Sequence, residues 1–289
     1  MEKMTVALAQ ICPDPGDLRA NTEKMISYME SAAGCGAGLV VFPECSLTGY
    51  APEMAAELAV TAGSCAEDAA CDLGAGGASD CISEVEARAE SLGTAVCFGY
   101  MEKAAEGCFI TQELYHVSTR TVYRKTHPGS RESRYFKAGN SFPLAVSPVK
   151  TGIQLCWESH IPEISEAYRR QGAELLLFPY ASGMSGEKCR ENWQVHLPAR
   201  ASDNGCFAAA CNLLTKNTAG LTRGGGLAVW DPKGRLIAGY FGTEEKLITA
   251  VIGGELPRDV FLREKQGLAA HDIHALSYFD LKRRELFGE

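Results

Sequence analysis

The stretch Thr151-Gly-Ile-Gln-Leu-Cys-Trp-Glu-Ser-His-Ile-Pro-Glu163 decides how this chain is read. Gly152-Ile153-Gln154-Leu155 has the apolar alternation of a strand, and Pro162 with Glu163 suits the first turn of a helix. Cys156 therefore stands on a strand-to-helix elbow. Such an elbow exposes a short side chain at the carboxyl end of a sheet, among backbone N–H groups that favour a thiolate and can bind a developing oxyanion. A cysteine chosen at random is more often a buried, inert thiol, so Cys156 counts as a nucleophile only if it has partners.

Partners lie upstream, again at the ends of apolar strands. Met4 to Gln10 reads as a buried strand, and a helix follows with Asn21 as N-cap, Met25, Ile26, Met29 and Ala33 at helical spacing, and Gly34 with Gly36 as terminator. Leu39-Val-Val-Phe42 is a second apolar strand, which makes residues 4–42 a parallel strand-helix-strand unit. Glu44 comes directly after it. A carboxylate at the end of a buried parallel strand lies where open α/β sheets bind ligands, and desolvation there raises it toward a useful general base.

Residues 51–90 are rich in Ala and Gly; Gly74 to Gly77 reads as a loop, an ordinary surface one before a lid, and Asp80 to Leu92 as a helix. Strands are expected over 94–100 and 109–117, and a turn at 118–120 leads into Thr121-Val-Tyr-Arg-Lys125. This delivers Lys125 to a strand end. An ammonium beside a nucleophilic thiol favours the thiolate and can stabilise the oxyanion of a tetrahedral intermediate.

Beyond the elbow the pattern repeats. A helix is expected over 161–171, a strand over 174–180, a helix over 193–203, a small-residue strand over 205–212, a hairpin from 227–231 and 236–241, and a last strand over 247–252. The two halves share one rhythm of strand, helix and strand with reactive residues at strand ends. No linker interrupts it, so the simplest reading is one domain over 1–289, its tail from about 255 packing on a partner subunit. Substrate specificity is expected to reside in the loops 51–80 and 182–192.

Hydrophobic residues make up 46% and charged residues 22%, which is ordinary for a globular protein. A formal net charge of −8 leaves no basic excess to displace counterions, which argues against nucleic-acid and anionic-membrane partners. No apolar run is long enough to span a bilayer. The start of the chain lacks the apolar core of a signal sequence, so the 12 cysteines are expected to be reduced, in a cytoplasmic protein. There is no C-x-x-C; Cys65, Cys71 and Cys81 are irregularly spaced, and His271 with His274 has no further ligand near in sequence. Neither a metal nor a cofactor is expected.

With Phe42-Pro-Glu44, Tyr123-Arg-Lys125 and Leu155-Cys156-Trp-Glu158 in that order, the chain resembles the nitrilase superfamily, the carbon-nitrogen hydrolases. The resemblance extends through Glu132, Tyr135-Phe136 and Gly139, Trp193 to Asn212, and Asp231-Pro-Lys-Gly234. It implies a four-layer α-β-β-α sandwich that usually dimerises through helices near the cysteine. It also implies a division of labour: Cys156 forms a thioester, Glu44 is the general base, Lys125 stabilises the tetrahedral intermediate with the Trp157 backbone N–H, and Glu132 orients the cluster or shares its protons. Candidates for substrate contact are Trp157, Tyr50, Tyr135, His160 and Tyr180.

The branch is less sharply marked. His160 stands where amide-cleaving branches often carry Arg, which argues against substrates whose carboxylate that Arg would hold. Trp157-Glu158 looks like the nitrile-cleaving branch, although Ser159 stands where Asn is common there, while Ile161-Pro162-Glu163 and the chain length suit amidases. The expected substrate is a small linear amide or N-carbamoyl amine, with a nitrile as the alternative and a catalytically silent binding scaffold as the remote one.

Overall fold

Alternation along the strands sorts the side chains into three apolar layers. On Met4–Gln10, Val6 and Leu8 point one way and Ala7 and Ala9 the other, and the same split recurs along the sheets. The computed structural model describes residues 1–61, 78–216 and 220–254. In the first half the elements are β1 (Met4–Gln10), α1 (Leu18–Gly34), β2 (Ala37–Val41), α2 (Ala55–Leu58), α3 (Ala78–Leu92), β3 (Ala95–Ala104), β4 (Gly107–His116) and β5 (Thr119–Arg124). In the second they are β6 (Thr151–Ile153), α4 (Pro162–Arg170), β7 (Leu175–Tyr180), α5 (Gly186–Asn204), β8 (Phe207–Asn212), β9 (Leu214–Lys216), β10 (Thr222–Gly224), β11 (Leu227–Trp230), β12 (Leu236–Tyr240) and β13 (Lys246–Ile252).

Two sheets result. The larger runs β13-β1-β2-β3-β4-β5 and the smaller β12-β11-β8-β7-β6, with β9 and β10 as a separate ribbon. Each has three parallel strands, β1-β2-β3 and β6-β7-β8, continued by antiparallel ones. Val6, Leu8, Leu39 and Val41 meet Leu175, Leu177, Ala209 and Val229 between the sheets. Ala7, Val40 and Phe42 face Met25 and Met29 of α1 and Val85 of α3, while Leu176, Phe178 and Ala210 face Trp193 and Leu197 of α5 and Ile164 of α4. The result is the expected α-β-β-α sandwich, in which the parallel strands of both sheets are covered on both faces.

Two expectations need correction. The N-cap of α1 is Asp17, whose carboxylate accepts from Ala20 N; Asn21 lies one turn in, buried, and donates to the carbonyls of Asp14 at 2.8 Å and Leu47 at 2.9 Å. It thereby ties the loop after β2 to the helix. Helix α5 begins at Gly186 behind the Ser185 cap, so the expected 182–192 loop shrinks to a few residues. The ribbon β9-β10 was not anticipated. The Gly74 to Gly77 loop, the tail from 255, and His271 with His274 fall outside the described residues.

On the outer face of the larger sheet a second polar cluster is buried. Arg120 on β5 bridges Glu86 of α3 at 2.7 Å and Glu113 of β4 at 3.1 Å, and Tyr100 donates to Glu113 at 3.0 Å. Burial pushes the Glu113 carboxyl up to about 8, with help from its hydrogen bond to Glu86 and against the pull of Arg120. A folded-state value above the unfolded one means the folded protein holds the extra proton, so this contribution is present at low pH and is lost as pH rises through about 8. Glu113→Gln removes the dependence: its thermal midpoint relative to wild type should rise between pH 5 and pH 9 by several degrees, roughly the effect of a few kcal/mol. A difference that stays constant over that range would show that Glu113 carries no such proton.

Candidate active site

The two sheets bring three strand ends together. Glu44 follows β2, Lys125 follows β5, and Cys156 begins a short 3-10 turn, Cys156–His160, after β6. Lys125 Nζ, which is almost fully buried, donates to Glu44 Oε1 at 2.8 Å and lies 3.0 and 2.9 Å from the two oxygens of Glu132. Glu44 is completely buried, and its other oxygen accepts from Ala181 N at 2.9 Å. The same N–H also serves the Cys156 thiol. All the sequence-expected catalytic side chains thus converge on one ammonium.

One cation shared by two carboxylates cannot treat both alike. Burial works to raise Glu132, but Lys125, the Gly129 N–H at 2.6 Å and the Tyr50 hydroxyl at 2.9 Å more than offset it and hold the carboxyl below its usual range. Glu44 is pushed up to about 7, chiefly by burial, against the pull of Lys125 and with the repulsion of Glu132 added. Burial opposes the charge on Lys125, yet Glu44, Cys156 and Glu132 together keep its ammonium well above the normal range. The Cys156 thiol is raised to about 12 by burial and by Glu44, against the pull of Lys125. The resting arrangement is a protonated thiol beside a carboxylate poised to take a proton near neutrality.

The backbone around these groups is constrained. Cys156 has φ +52° and Cys45, next to Glu44, has φ +56°, a region that costs a non-glycine residue on the order of 1–3 kcal/mol. Glu158 holds the elbow in place. Fully buried, it accepts from Leu155 N at 2.7 Å, Tyr123 OH at 2.8 Å, Thr126 N and His127 N at 2.9 Å each, and Thr126 Oγ1 at 2.7 Å. It therefore locks the residues after Lys125 to the residue before Cys156. Trp157 adds a second tie, its indole N–H donating to His127 O at 2.6 Å. Gly99 lies beneath Glu44, where a Cβ would stand 2.7 Å from Cys45 N, and Gly139 lies against the carbonyl of Arg124, where a Cβ would stand 2.2 Å from the oxygen.

The side chains expected to touch substrate divide into groups. Tyr50 is engaged with Glu132, whereas Trp157 and Tyr135 are exposed, at 44% and 39%. Tyr180 is buried, stacked 4.9 Å from Trp193, and its hydroxyl is committed to Ser159 at 2.7 Å. His160 lies at the surface with its ring 4.1 Å from that of His196. Sequence reasoning gave no role to Glu158, Ala181 or His196. Glu158 stood in the quoted motif, but nothing in its spacing says that it turns inward, and Ala181 acts through its backbone, which carries no residue-type signal.

A thiol on a strained turn, a carboxylate raised toward neutrality and a buried ammonium make a site able to pass an acyl group through a cysteine and to move the protons this needs. The sequence profile of the carbon-nitrogen hydrolase family matches residues 5–256, and the chain belongs to that family, enzymes that hydrolyse carbon-nitrogen bonds other than peptide bonds. It is 28% identical over 288 residues to an aliphatic nitrilase of Sinorhizobium fredii (strain HH103), covering 90% of each chain. It is 27% identical over 269 residues to an omega-amidase of Xenopus laevis, covering 87% of this chain and 89% of the other. In three dimensions it is similar to an amidase from Nesterenkonia sp., with TM-score 0.75 and 23% identity over 99% of this chain and 95% of that one, a likeness of fold.

Glu158→Gln tests the tie between the strand ends. An amide can accept through only one of its two ends, so Leu155 N–H or the Thr126 and His127 N–H groups lose their partner. The variant should lose about 3 kcal/mol in denaturant unfolding, as expected when a buried carboxylate with several donors is neutralised. A loss below about 0.5 kcal/mol would mean that the elbow holds without it.

Proposed function

We propose that the chain hydrolyses a small linear amide or N-carbamoyl amine through a thioester on Cys156. The observation that carries this reading is the placement of Lys125 Nζ between Glu44 and Glu132, with Glu44 and the thiol sharing the Ala181 N–H. Because the free thiol is held protonated, attack and proton transfer go together: Sγ bonds to the carbonyl carbon as Glu44 takes the thiol proton. Lys125 and the Trp157 backbone N–H stabilise the oxyanion, and Glu132 keeps Lys125 charged. Glu44 then hands its proton to the departing nitrogen as the C–N bond breaks, which releases ammonia or an amine and leaves the thioester. A water deprotonated by Glu44 cleaves it to the acid and restores the thiol. Trp157-Glu158 favours a second reading, in which the same cysteine attacks a nitrile.

The reading extends to setting and assembly. Every described cysteine is a free thiol, which supports a reducing, cytoplasmic location. No described helix is long and apolar enough to cross a membrane. Val195 on α5 is 80% exposed, which supports pairing of two copies through the helices beside the elbow.

A cavity of about 430 Å³ supports a narrower substrate class. It begins at Gly183, two residues past the Ala181 N–H, and is lined by Met184, Ser185, Lys188, Thr222, Arg223 and Thr243, with no acidic side chain among the described residues. Met184 packs on the same apolar cluster as Cys156. Cys156 follows β6 and Gly183 follows β7, and these two strands are neighbours, so the cavity opens beside the strand end next to the nucleophile's own. Two cations in a lining whose described residues include no carboxylate favour a substrate whose far end is anionic. They supply a positive charge that His160 does not.

Ammonia release from a panel of linear amides, N-carbamoyl amines and nitriles, with Cys156→Ala alongside, tests the reaction. Release that vanishes in the variant, and whose kcat/KM falls as pH drops through about 7 because Glu44 becomes protonated, is the expected result. Release from nitriles alone would select the second reading, and silence across the panel would defeat both. For specificity, an amide with a carboxylate at its far end should exceed its uncharged isostere by about tenfold in kcat/KM. The Lys188→Met/Arg223→Met variant should abolish that preference through KM while turning over the uncharged amide as before. Equal use of both substrates by wild type would remove the anionic class.

A further inference from the structure

Behind the elbow lies a hydrogen-bonded line that the proposed chemistry does not use. Tyr180 OH donates to Ser159 Oγ at 2.7 Å, and Ser159 Oγ lies 2.9 Å from His196 Nε2. Arg200 Nε donates to the Ser159 carbonyl at 3.0 Å, and the His160 ring covers that of His196. Ser159 is fully buried and His196 nearly so. A serine hydroxyl has one proton to give. Having accepted from Tyr180, Ser159 gives its own to His196, so Nε2 is the bare nitrogen of a neutral imidazole. Burial, His160 and Arg200 all act against a charge on His196 and push it down to about 4, which keeps the line intact at neutral pH.

Two members of the line adjoin the reacting groups. Ser159 sits on the same 3-10 turn as Cys156, and Tyr180 precedes Ala181, whose N–H serves Glu44 and the thiol. Ser159 and His160 both touch His196.

We propose that Ser159 and His196 are a positioning pair, holding the turn that carries Cys156 in register with the strand end that carries the Ala181 N–H. Neither touches substrate. The acceptor nitrogen on α5 fixes the direction of the Ser159 hydroxyl, the hydroxyl fixes Tyr180, and Tyr180 sets the backbone donor. This rests on Cys156 and Glu44 acting as proposed above.

The test compares His196→Leu, His196→Gln and Ser159→Ala, reading kcat, KM and the rate at which iodoacetamide alkylates Cys156, mapped by mass spectrometry. A glutamine oxygen can stand where Nε2 stands; leucine cannot accept. His196→Leu and Ser159→Ala should each lower kcat and Cys156 alkylation by about tenfold or more with KM within about twofold, as a small misplacement of reacting groups does. His196→Gln should recover to within about threefold of wild type, and the Leu/Ala double variant should be no worse than either single one, because both break the same line. If His196→Leu and Ser159→Ala keep kcat and alkylation within about twofold while only the thermal midpoint drops, the pair is packing and the inference fails. It fails equally if Gln is as poor as Leu. A wild-type Cys156 that reacts no faster than the other thiols would instead defeat the thioester reading, which separates the two failures.

Discussion

Burying the Lys125 ammonium is the condition on which the rest of this structure depends. A lysine with almost no exposure is tolerated only if its charge is met, and here two carboxylates meet it at 2.8 to 3.0 Å. The cluster still carries one negative charge too many for its cation. That excess falls on Glu44, the carboxylate with the greater burial and no hydroxyl donor, and it is what places Glu44 near neutrality while Glu132 stays ionised. The same imbalance that weakens the cluster as a stabilising ion group makes it a proton acceptor.

Such a cluster works only if its members cannot drift apart, because each comes from a different strand end. The fold supplies ties that are themselves polar and buried. Glu158 joins the Lys125 loop to the elbow, Asn21 joins the loop after Glu44 to α1, and the Gly99 and Gly139 positions let backbone approach where a side chain would intrude. Left-handed backbone at Cys45 and Cys156 is the local cost of aiming both groups inward, and the apolar layers on either side of the sheets offset it.

The layers and the polar groups that gather around Lys125 were legible in the sequence because both are written in residue type. Apolar runs ending in Glu44, Lys125 and Cys156 announce a strand end and a chemical group together, and the strand boundaries follow from alternation. What was hidden is carried by contacts. Asp17 and Asn21 are both good caps, and only the carbonyl of Leu47 decides that Asn21 lies inside the helix. The start of α5 was obscured because polar Glu187 and Lys188 precede the first buried face at Cys189 and Trp193. Glu158 reads as an ordinary glutamate until the strand ends that need its oxygens are brought to it, and no side chain announces the Ala181 N–H.

The pseudo-repeat explains why the site uses a backbone group there. β2 and β7 occupy matching places in the two sheets, each the middle strand of a parallel trio, and each carries a Phe-Pro pair near its carboxyl end, Phe42-Pro43 just after β2 and Phe178-Pro179 before the last residue of β7. From β2 the chain continues into Glu44. From β7 the corresponding turn brings Tyr180 toward α5 and leaves the Ala181 N–H facing the other sheet, within reach of Glu44 Oε2. One half thus supplies the raised carboxylate and the other the N–H donor that orients it. A carboxylate from both halves would have added a further negative charge to a cluster that already has one in excess, and would have raised Glu44 out of the range where it can accept a proton and release it again.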